Sequence, residues 1–178
     1  GWFYPSASST EIDRYVTYNY SEQTWSIGEL ARFAWLDEGI VAYPRATGKS
    51  SSTNYLYQHE QGNDDDGSAM SNVFIESSDL DIQEGEYFSS ISRVIPDVKF
   101  TGSGGANQTI NFVLKTRNYP GESLVTNTTQ NVTGTTTRLD TRLRARQMAF
   151  RVESDDDNSD AGTQTGVGWV LGDTRMDV

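Results

Sequence analysis

The sequence predicts an all-β protein, in which part of a β-propeller, one to two blades, is followed by an antiparallel β-sandwich or barrel region. Three observations support this class. Short runs of alternating apolar and polar residues recur, and a two-residue repeat places one row of side chains in a core. Aromatic residues make up 11% of the chain, which suits pleated strands. Lys, Glu and Ala at helical spacing are scarce, so no confident helix is predicted.

Residues 1–67 are predicted to form a propeller-blade-like region. In Asp13–Gly28 a strand reaches Tyr-Asn-Tyr, a polar turn follows, and Thr24–Ile27 resumes the alternation, which indicates a β-hairpin. Such a hairpin with a Trp near a Gly is typical of propeller blades. Ser52–Glu60 repeats the pattern only loosely, without a fixed period, so a complete propeller is not predicted. Glu29–Leu36 is interpreted as a strand or an irregular segment.

Residues 68–178 are predicted to form the sandwich or barrel region. Short strands there are separated by turns rich in Pro, Gly and Asp, which is typical of antiparallel all-β domains. At both ends of the chain the pattern is that of an incomplete strand, so we expect the sequence to be a piece of a longer polypeptide. The predicted strands are Val73–Glu76, Tyr87–Ile95, Lys99–Phe100, Gln108–Arg117, Ser123–Thr129, Arg138–Glu153 and Gly168–Val178.

Charge and composition exclude several functions. The net charge is −11 and the isoelectric point is near 4.4, which argues against general nucleic-acid affinity because that affinity depends on basic residues. The 178 residues include no Cys, which excludes disulfides and thiolate metal sites. No apolar run approaches the roughly 20 residues that span a bilayer, so no membrane insertion is predicted.

The residues that most often carry chemistry do not form a recognisable site. His59 is the one histidine, whereas transition-metal and serine-type catalytic sites need further partners, so we interpret it as a residue at a strand end. The acidic runs Asn63–Gly67 and Asp155–Asp160 lack the spacing of a calcium loop, and we interpret them as solvated turns, with calcium binding as the alternative. We predict neither enzymatic activity nor a cofactor.

Five of the 14 basic residues are clustered near the C-terminus, and we predict that they form a subunit interface. Arg142, Arg144 and Arg146 are spaced two apart and are expected on one face of a strand. Such like charges repel unless acidic partners or phosphates lie opposite. Pairing with acidic groups of the same chain, contact with passing DNA and unpaired edge arginines are the alternatives. The interface candidates are Arg138, Arg142, Arg144, Arg146 and Arg151.

Several phrases together resemble a known family. In order along the chain, they resemble the C-terminal part of the tail nozzle proteins, or packaged-DNA stabilisation and tail-hub proteins, of short-tailed bacteriophages. Two departures are clear: the rest of the propeller is absent, and so is the basic terminus expected after Asp177-Val178. The phrases are Tyr18–Tyr20 with Trp25–Gly28, Arg32–Asp37, Tyr55–Gly67, Arg93–Asp97, Arg144–Val152 and Gly168–Val178.

The resemblance implies a structural virion protein that is not an enzyme. Such a protein forms a ring, of six copies in proteins of this kind, that continues the DNA channel of the tail and retains packaged DNA until ejection. Its expected partners are copies of itself, other phage tail proteins and, transiently, the passing DNA. A wall of net negative charge is compatible with this function because it repels phosphate, so that DNA slides without binding.

Two other functions remain open from the sequence. The first is a tail-tip module that binds host surface glycan through Trp2, Trp25, Trp35 or Trp169. The second is a glycoside hydrolase of the tailspike type. Its carboxylate pair would come from Asp37, Glu38, Glu60 and Asp64.

Overall fold

The protein is all-β, as predicted. A computed structural model describes residues 1–63, 65, 70, 72–81, 87–101, 108–154 and 167–177. These residues form antiparallel strands and no helix, and accordingly no helix long and apolar enough to cross a membrane occurs among them. The chain divides into two compact units, Gly1–Gln61 and Gly62–Val178. The predicted boundary between residues 67 and 68 lies outside the described residues.

The strands are numbered in chain order. Unit 1 contains β1 (Trp2–Tyr4), β2 (Arg14–Asn19), β3 (Thr24–Glu29), β4 (Ala34–Leu36), β5 (Arg45–Ser50) and β6 (Thr53–Gln58). Unit 2 contains β7 (Phe74–Glu76), β8 (Leu80–Asp81), β9 (Ser89–Ile95), β10 (Val98–Phe100), β11 (Thr109–Arg117), β12 (Val125–Thr133), β13 (Leu139–Ala145), β14 (Gln147–Ser154), β15 (Trp169–Leu171) and β16 (Arg175–Asp177).

Unit 1 consists of two sheets, β1-β2-β3 and β4-β5-β6. The predicted hairpin is confirmed as β2 and β3, which pair Tyr18 with Trp25 and Tyr15 with Gly28. The turn ends at Gln23, whose φ of 55° closes the loop. Propeller blades usually have four strands, whereas each sheet here has three within the described part of the chain. The propeller assignment therefore stays a prediction.

The interior of unit 1 is a series of half-buried rings. Phe3 lies 5.6 Å from Trp35 between ring centroids, and Trp35 lies 4.7 Å from the ring of His59. The ring of Tyr15 lies across Gly28, so a side chain at residue 28 would collide with it. Buried positions are small: within the first 61 residues only Pro44, Ala46 and Gly48 fall in this class.

Unit 2 contains a β-sandwich. One sheet has the order β12-β11-β14-β7, with β8 also paired to β14, and the other has the order β13-β9-β16. Strands β10 and β15 form a separate two-stranded sheet. Alternate residues of both sheets meet in a continuous apolar core. The buried members are Ile91, Val94, Ile110, Phe112, Leu114, Val132, Leu139, Ala145, Met148 and Val152.

Two strands that the sequence predicted as continuous are each divided in the structure. The prediction of one strand over Arg138–Glu153 is wrong, because the chain leaves one sheet after Ala145 and enters the other at Gln147. Ala145 and Met148 are both buried although they lie three apart, so the two-residue repeat changes phase at this corner. Gly168–Val178 is likewise divided into β15 and β16.

Two further strands differ from the predictions, one in existence and one in extent. Strand β5 was not predicted, because its sequence Arg-Ala-Thr-Gly-Lys-Ser lacks the bulky residues typical of strands. It forms because Ala46 and Gly48 are small enough to be buried on the inner face. Strand β12 continues to Thr133, four residues beyond the predicted Thr129.

Candidate functional site

The structure distributes the five predicted interface arginines over three locations rather than one surface. Arg138 precedes β13, and Arg142 and Arg144 lie on that strand. Arg146 occupies the corner between the two sheets, and Arg151 lies on β14 in the opposite sheet. The expected ladder of three arginines on one face is therefore reduced to two, Arg142 and Arg144.

Arg142 and Arg144 are exposed on an edge strand. Leu143 between them is half-buried and Ala145 is buried, so the predicted alternation of the two faces is confirmed here. Neither guanidinium forms an ion pair with another described residue, whereas Arg138 pairs with Asp140 at 3.5 Å between Nε and Oδ1. The register of β13 with β9 shifts between Asp140 and Leu143. A shallow depression lies next to Arg142.

Arg146 belongs to a cluster of arginines and aromatic rings at the corner. Its guanidinium lies 5.1 Å from the ring centroid of Phe88 and 5.8 Å from that of Tyr119. The guanidinium of Arg144 lies 5.0 Å from the same Phe88 ring. All three distances are typical of cation–π contacts. The Nε of Arg146 is buried and donates to no acceptor among the described residues.

Arg151 forms its ion pairs and its ring contact within the chain. Its guanidinium pairs with Glu76 at 3.2 Å and with Glu153, and it lies 3.6 Å from the ring centroid of Phe74. Lys115 completes the network by pairing with Glu76 at 2.8 Å. Burial alone would lower the pKa of Arg151, but the hydrogen bonds to Glu153 and Glu76 outweigh it and raise that pKa. The side chain therefore ties β14 to β7.

Glu76 is the acidic centre of the same network. The hydrogen bond donated by Lys115 lowers the pKa of the Glu76 carboxyl, burial opposes the shift, and Arg151 adds to it. Two cations and two carboxylates balance each other here, which leaves no net charge to attract a partner.

Unit 1 presents a second candidate surface, which we call the aromatic face. Its residues lie on one side of the sheet β1-β2-β3 and are large and exposed. The exposed fractions are 58% for Trp2, 41% for Tyr4, 39% for Tyr18, 63% for Trp25 and 74% for Ile27. Soluble monomers rarely expose a contiguous apolar surface of this size unless it contacts another molecule.

The rings of the aromatic face stand against one another. Trp25 lies 4.6 Å from Tyr18 and 6.1 Å from Trp2 between ring centroids. The ring of Trp25 therefore has both Tyr18 and Trp2 as ring neighbours, while 63% of the residue stays exposed. The ion pair between Arg14 and Glu29 lies at one end of this face.

Of the remaining residues that the sequence singled out, His59 and Trp35 are ring neighbours within unit 1, and Trp169 lies in unit 2. His59 follows the last residue of β6, and its backbone N–H donates to Pro44 O at 2.8 Å. Its Nε2 accepts from Arg32 Nε at 3.1 Å. Trp35 is 37% exposed, and Trp169 is half-buried with its Nε1 donating to Ser154 Oγ at 2.9 Å.

Three of the four predicted carboxylates lie among the described residues. Asp37, Glu38 and Glu60 are exposed, and Asp64 lies outside the described residues. Within the described ranges no group of three or more His, Asp or Glu side chains is arranged to hold a metal ion. Most of the acidic runs named as calcium alternatives, including residues 155–160, lie outside those ranges.

Sequence reasoning named Trp2 and Trp25 as glycan-binding candidates but did not place them on one face of a sheet, although a signal was present. Trp2-Phe3-Tyr4 in β1 and Tyr15-Val16 with Tyr18 in β2 place apolar residues at both odd and even positions. A strand that is apolar on both sides needs two surfaces to cover it. The pattern could have identified a sheet with two apolar faces. In the structure one of these faces is packed within unit 1 and the other is exposed.

Comparison with protein-family models gives no match, and comparison with curated proteins gives no significant match.

Proposed function

We propose that this chain is a structural subunit that functions as an assembly of its own copies. Of the assemblies that the sequence resembles, the one we propose is the tail nozzle or hub of a short-tailed bacteriophage. There the copies form a ring that continues the DNA channel and retains packaged DNA until ejection. Other phage tail proteins are its neighbours, and the virion tail is its location.

The observation that carries the proposal is the aromatic face. A three-stranded sheet with little buried interior is marginal by itself, and this one directs Trp2, Trp25 and Ile27 to solvent. Each large side chain of this type has a surface area of roughly 150–250 Å². Their exposed fractions then amount to roughly 500 Å², a substantial part of the about 800 Å² that each partner buries in a stable interface.

The charges of the chain support an assembly more than a catalyst. Copies with a net charge of −11 repel one another, so contacts between them favour surfaces that carry no net charge. The aromatic face meets this condition, because Arg14 and Glu29 neutralise each other there. Arg142 and Arg144 are two exposed cations on an acidic protein, so they are complementary to acidic groups of a neighbouring copy.

The experiment is to determine the assembly state of the purified full chain by sedimentation and by electron microscopy. We expect closed rings. Ile27→Thr on the aromatic face should weaken the assembly, because it replaces an apolar contact with a hydroxyl while keeping a β-branched residue. Leu56→Thr is the matched control, since Leu56 is 65% exposed on the other sheet of unit 1.

A chain that stays monomeric at high protein concentration and at high salt overturns the proposal. High salt is included because it screens the repulsion between copies and should strengthen an apolar contact. Equal loss of assembly in Ile27→Thr and Leu56→Thr would contradict the role of the aromatic face.

Glycan binding is the second candidate, and the exposure of Trp2 and Trp25 is the observation in its favour. Sugars stack on open ring faces, and the ring contacts of Trp25 with Tyr18 and Trp2 leave less of its ring surface for a sugar. Binding of the monomer to a glycan array, abolished by Trp2→Ala, would favour the glycan module over the assembly.

A further inference from the structure

The five outer strands of the sandwich in unit 2 differ in how they are protected against pairing. Strands β7 and β8 are two or three residues long and carry Glu76 and Asp81, and β16 is three residues long with two charges. Strand β13 has a register shift and carries Arg142 and Arg144. Short length, irregular pairing and charge are the features that keep a strand edge from pairing with another chain.

Strand β12 is the exception. It has nine residues, Val125–Thr133, none of them charged and none Pro. Its one irregularity lies near its beginning, where the pairing with β11 shifts between Leu114 and Lys115. From Thr128 onward the strand is regular, and its pairing partner among the described residues is β11 alone.

Hydrogen bonds elsewhere in the sheet establish which peptide groups of β12 are free. Phe150 O accepts from Ser77 N at 2.9 Å, and Ser154 N donates to Val73 O at 2.9 Å. Even-numbered residues of β14 therefore direct their peptide groups away from β11, and odd-numbered ones direct them toward it. Since peptide groups alternate along a strand, the even-numbered residues of β11 are the ones that bond β12.

The same alternation continues into β12. The pairs Phe112 with Gln130 and Ile110 with Val132 are hydrogen-bonded ones, so the odd-numbered residues of β12 point away from the sheet. Thr133 agrees independently, because its N–H donates to Thr136 Oγ1 and its C=O accepts from Thr136 N, both at 3.0 Å. The N–H and C=O of Thr129 and Asn131 thus form an open edge.

We propose that this open edge pairs with β12 of a second copy, in antiparallel orientation about a two-fold axis at Gln130. This register places Thr129 opposite Asn131 of the other copy and Asn131 opposite its Thr129. Each pair exchanges two backbone hydrogen bonds, which gives four in total. The two sheets then continue as one, with no charged side chain on either strand to oppose the contact.

The inference rests on the proposed self-assembly but names a different surface from the aromatic face. Because a two-fold contact reverses the direction of the second copy, the β12 contact joins copies of two separate rings and not neighbours within one ring. The chain has no Cys, so cysteines can be introduced without background. The experiment compares Thr129→Cys alone, Asn131→Cys alone and an equal mixture of the two full-length proteins, oxidised with copper phenanthroline and separated on non-reducing gels. Both positions are exposed, which makes the single variants matched controls.

We expect a disulfide-linked dimer in the mixture and little in either variant alone. Opposite residues of a hydrogen-bonded pair lie about 5.5 Å apart between Cα atoms, within the range of a disulfide. Identical positions are displaced by two residues and lie roughly 8–9 Å apart, beyond that range. A dimer formed by Thr129→Cys alone would overturn the register, and no dimer in any sample would overturn the pairing of these edges.

A proline variant tests the same edge without cross-linking. Thr129→Pro removes an N–H that points outward, so the fold should persist, since Pro is accepted at an edge facing solvent. The dimer loses two of its four hydrogen bonds and should weaken about ten-fold or more. Thr128→Pro should instead disrupt the bond to β11 and lower the unfolding midpoint in urea. Unchanged self-association in folded Thr129→Pro overturns the inference.

The outcomes separate this inference from the proposed function. If wild-type chains assemble, Ile27→Thr dissociates them and Thr129→Pro does not, the assembly stands and the β12 contact fails. If wild-type chains remain monomeric under all conditions, both fail.

Discussion

The two units of this chain have similar secondary structure but different interiors. In unit 2, ten buried side chains from two sheets form one core, with Phe112 only 1% exposed and stacked on Phe150 at 5.6 Å. In unit 1, the buried positions are Pro44, Ala46 and Gly48, and the large rings are half-buried or exposed. A strand pattern alone thus does not establish an independent core.

The difference also separates two sources of stability. Unit 2 gains its stability from apolar area removed from water within the chain, at about 25 cal/mol per Å². Unit 1 retains apolar area that is still available for contact. We expect substitutions in unit 2 to change the free energy of unfolding, and substitutions on the outer surface of unit 1 to change association.

The largest effect is expected for Phe112→Ala. Truncating a buried aromatic side chain leaves a cavity and costs about 3–5 kcal/mol of the free energy of unfolding. Urea denaturation followed by circular dichroism is the measurement for this variant and for its contrast. Trp25→Ala in unit 1 is the contrasting variant and should cost less than about 1 kcal/mol under conditions where the chain is monomeric. Equal costs would contradict the distinction between the units.

A smaller loss is expected for Gly48→Ala, which tests a closely packed site of unit 1. A Cβ at residue 48 would lie 2.8 Å from Ala31 O and 3.0 Å from the ring of Tyr57, so the backbone must shift. Overpacking of this kind costs about 1–3 kcal/mol. Gly134→Ala is the control, because its Cβ would meet Phe100 at an ordinary 3.8 Å. Protease resistance of unit 1 is the measurement, and no change would show that the site is loosely packed.

Acidification should destabilise unit 2 by about 1 kcal/mol through the Glu76 network. Because the pKa of Glu76 is lowered in the folded protein, its contribution is present above the ordinary value of 4.5 and is lost as the pH falls through the lowered pKa. Glu76→Gln should therefore lose less stability than wild type between pH 5 and pH 2, as measured by urea midpoints. Parallel losses in the two proteins would assign the acid sensitivity to other carboxyls.

The smallest effect on folding is expected for the double variant Arg142→Glu and Arg144→Glu. Both side chains are exposed, so the free energy of unfolding should change by less than about 0.5 kcal/mol. Sedimentation should nevertheless show impaired assembly if these arginines face acidic groups of a neighbouring copy. Arg175→Glu, on the opposite edge of the same sheet, is the control. Normal assembly would favour the alternative that the arginines only protect the edge of β13.

Sequence patterns predicted the class, the β2–β3 hairpin and most strands of unit 2, because alternation over five or more residues is a local property. They failed at Arg146, where the chain changes sheets and the alternation changes phase between Ala145 and Met148. They also failed for β5, because Ala46 and Gly48 are buried for their small size rather than for their hydrophobicity.

The candidate surfaces were less predictable than the strands. The exposure of Arg142 and Arg144 followed from the two-residue repeat. The pairing of Arg151 with Glu76 depends on β7, which is 75 residues away in sequence. Likewise, the position of a strand at the edge of a sheet depends on the whole topology. The open edge at Thr129 and Asn131 therefore could not be derived from local sequence.

The corner at Arg146 has a mechanical consequence. It connects β13, at the rim of one layer, directly to β14, which is hydrogen-bonded on both sides in the other layer. A pull applied along β13 is therefore transmitted to the most firmly anchored strand of the sandwich, where it is opposed by shear of two rows of backbone bonds at once. Traction on this rim would be distributed through the domain instead of peeling one strand away.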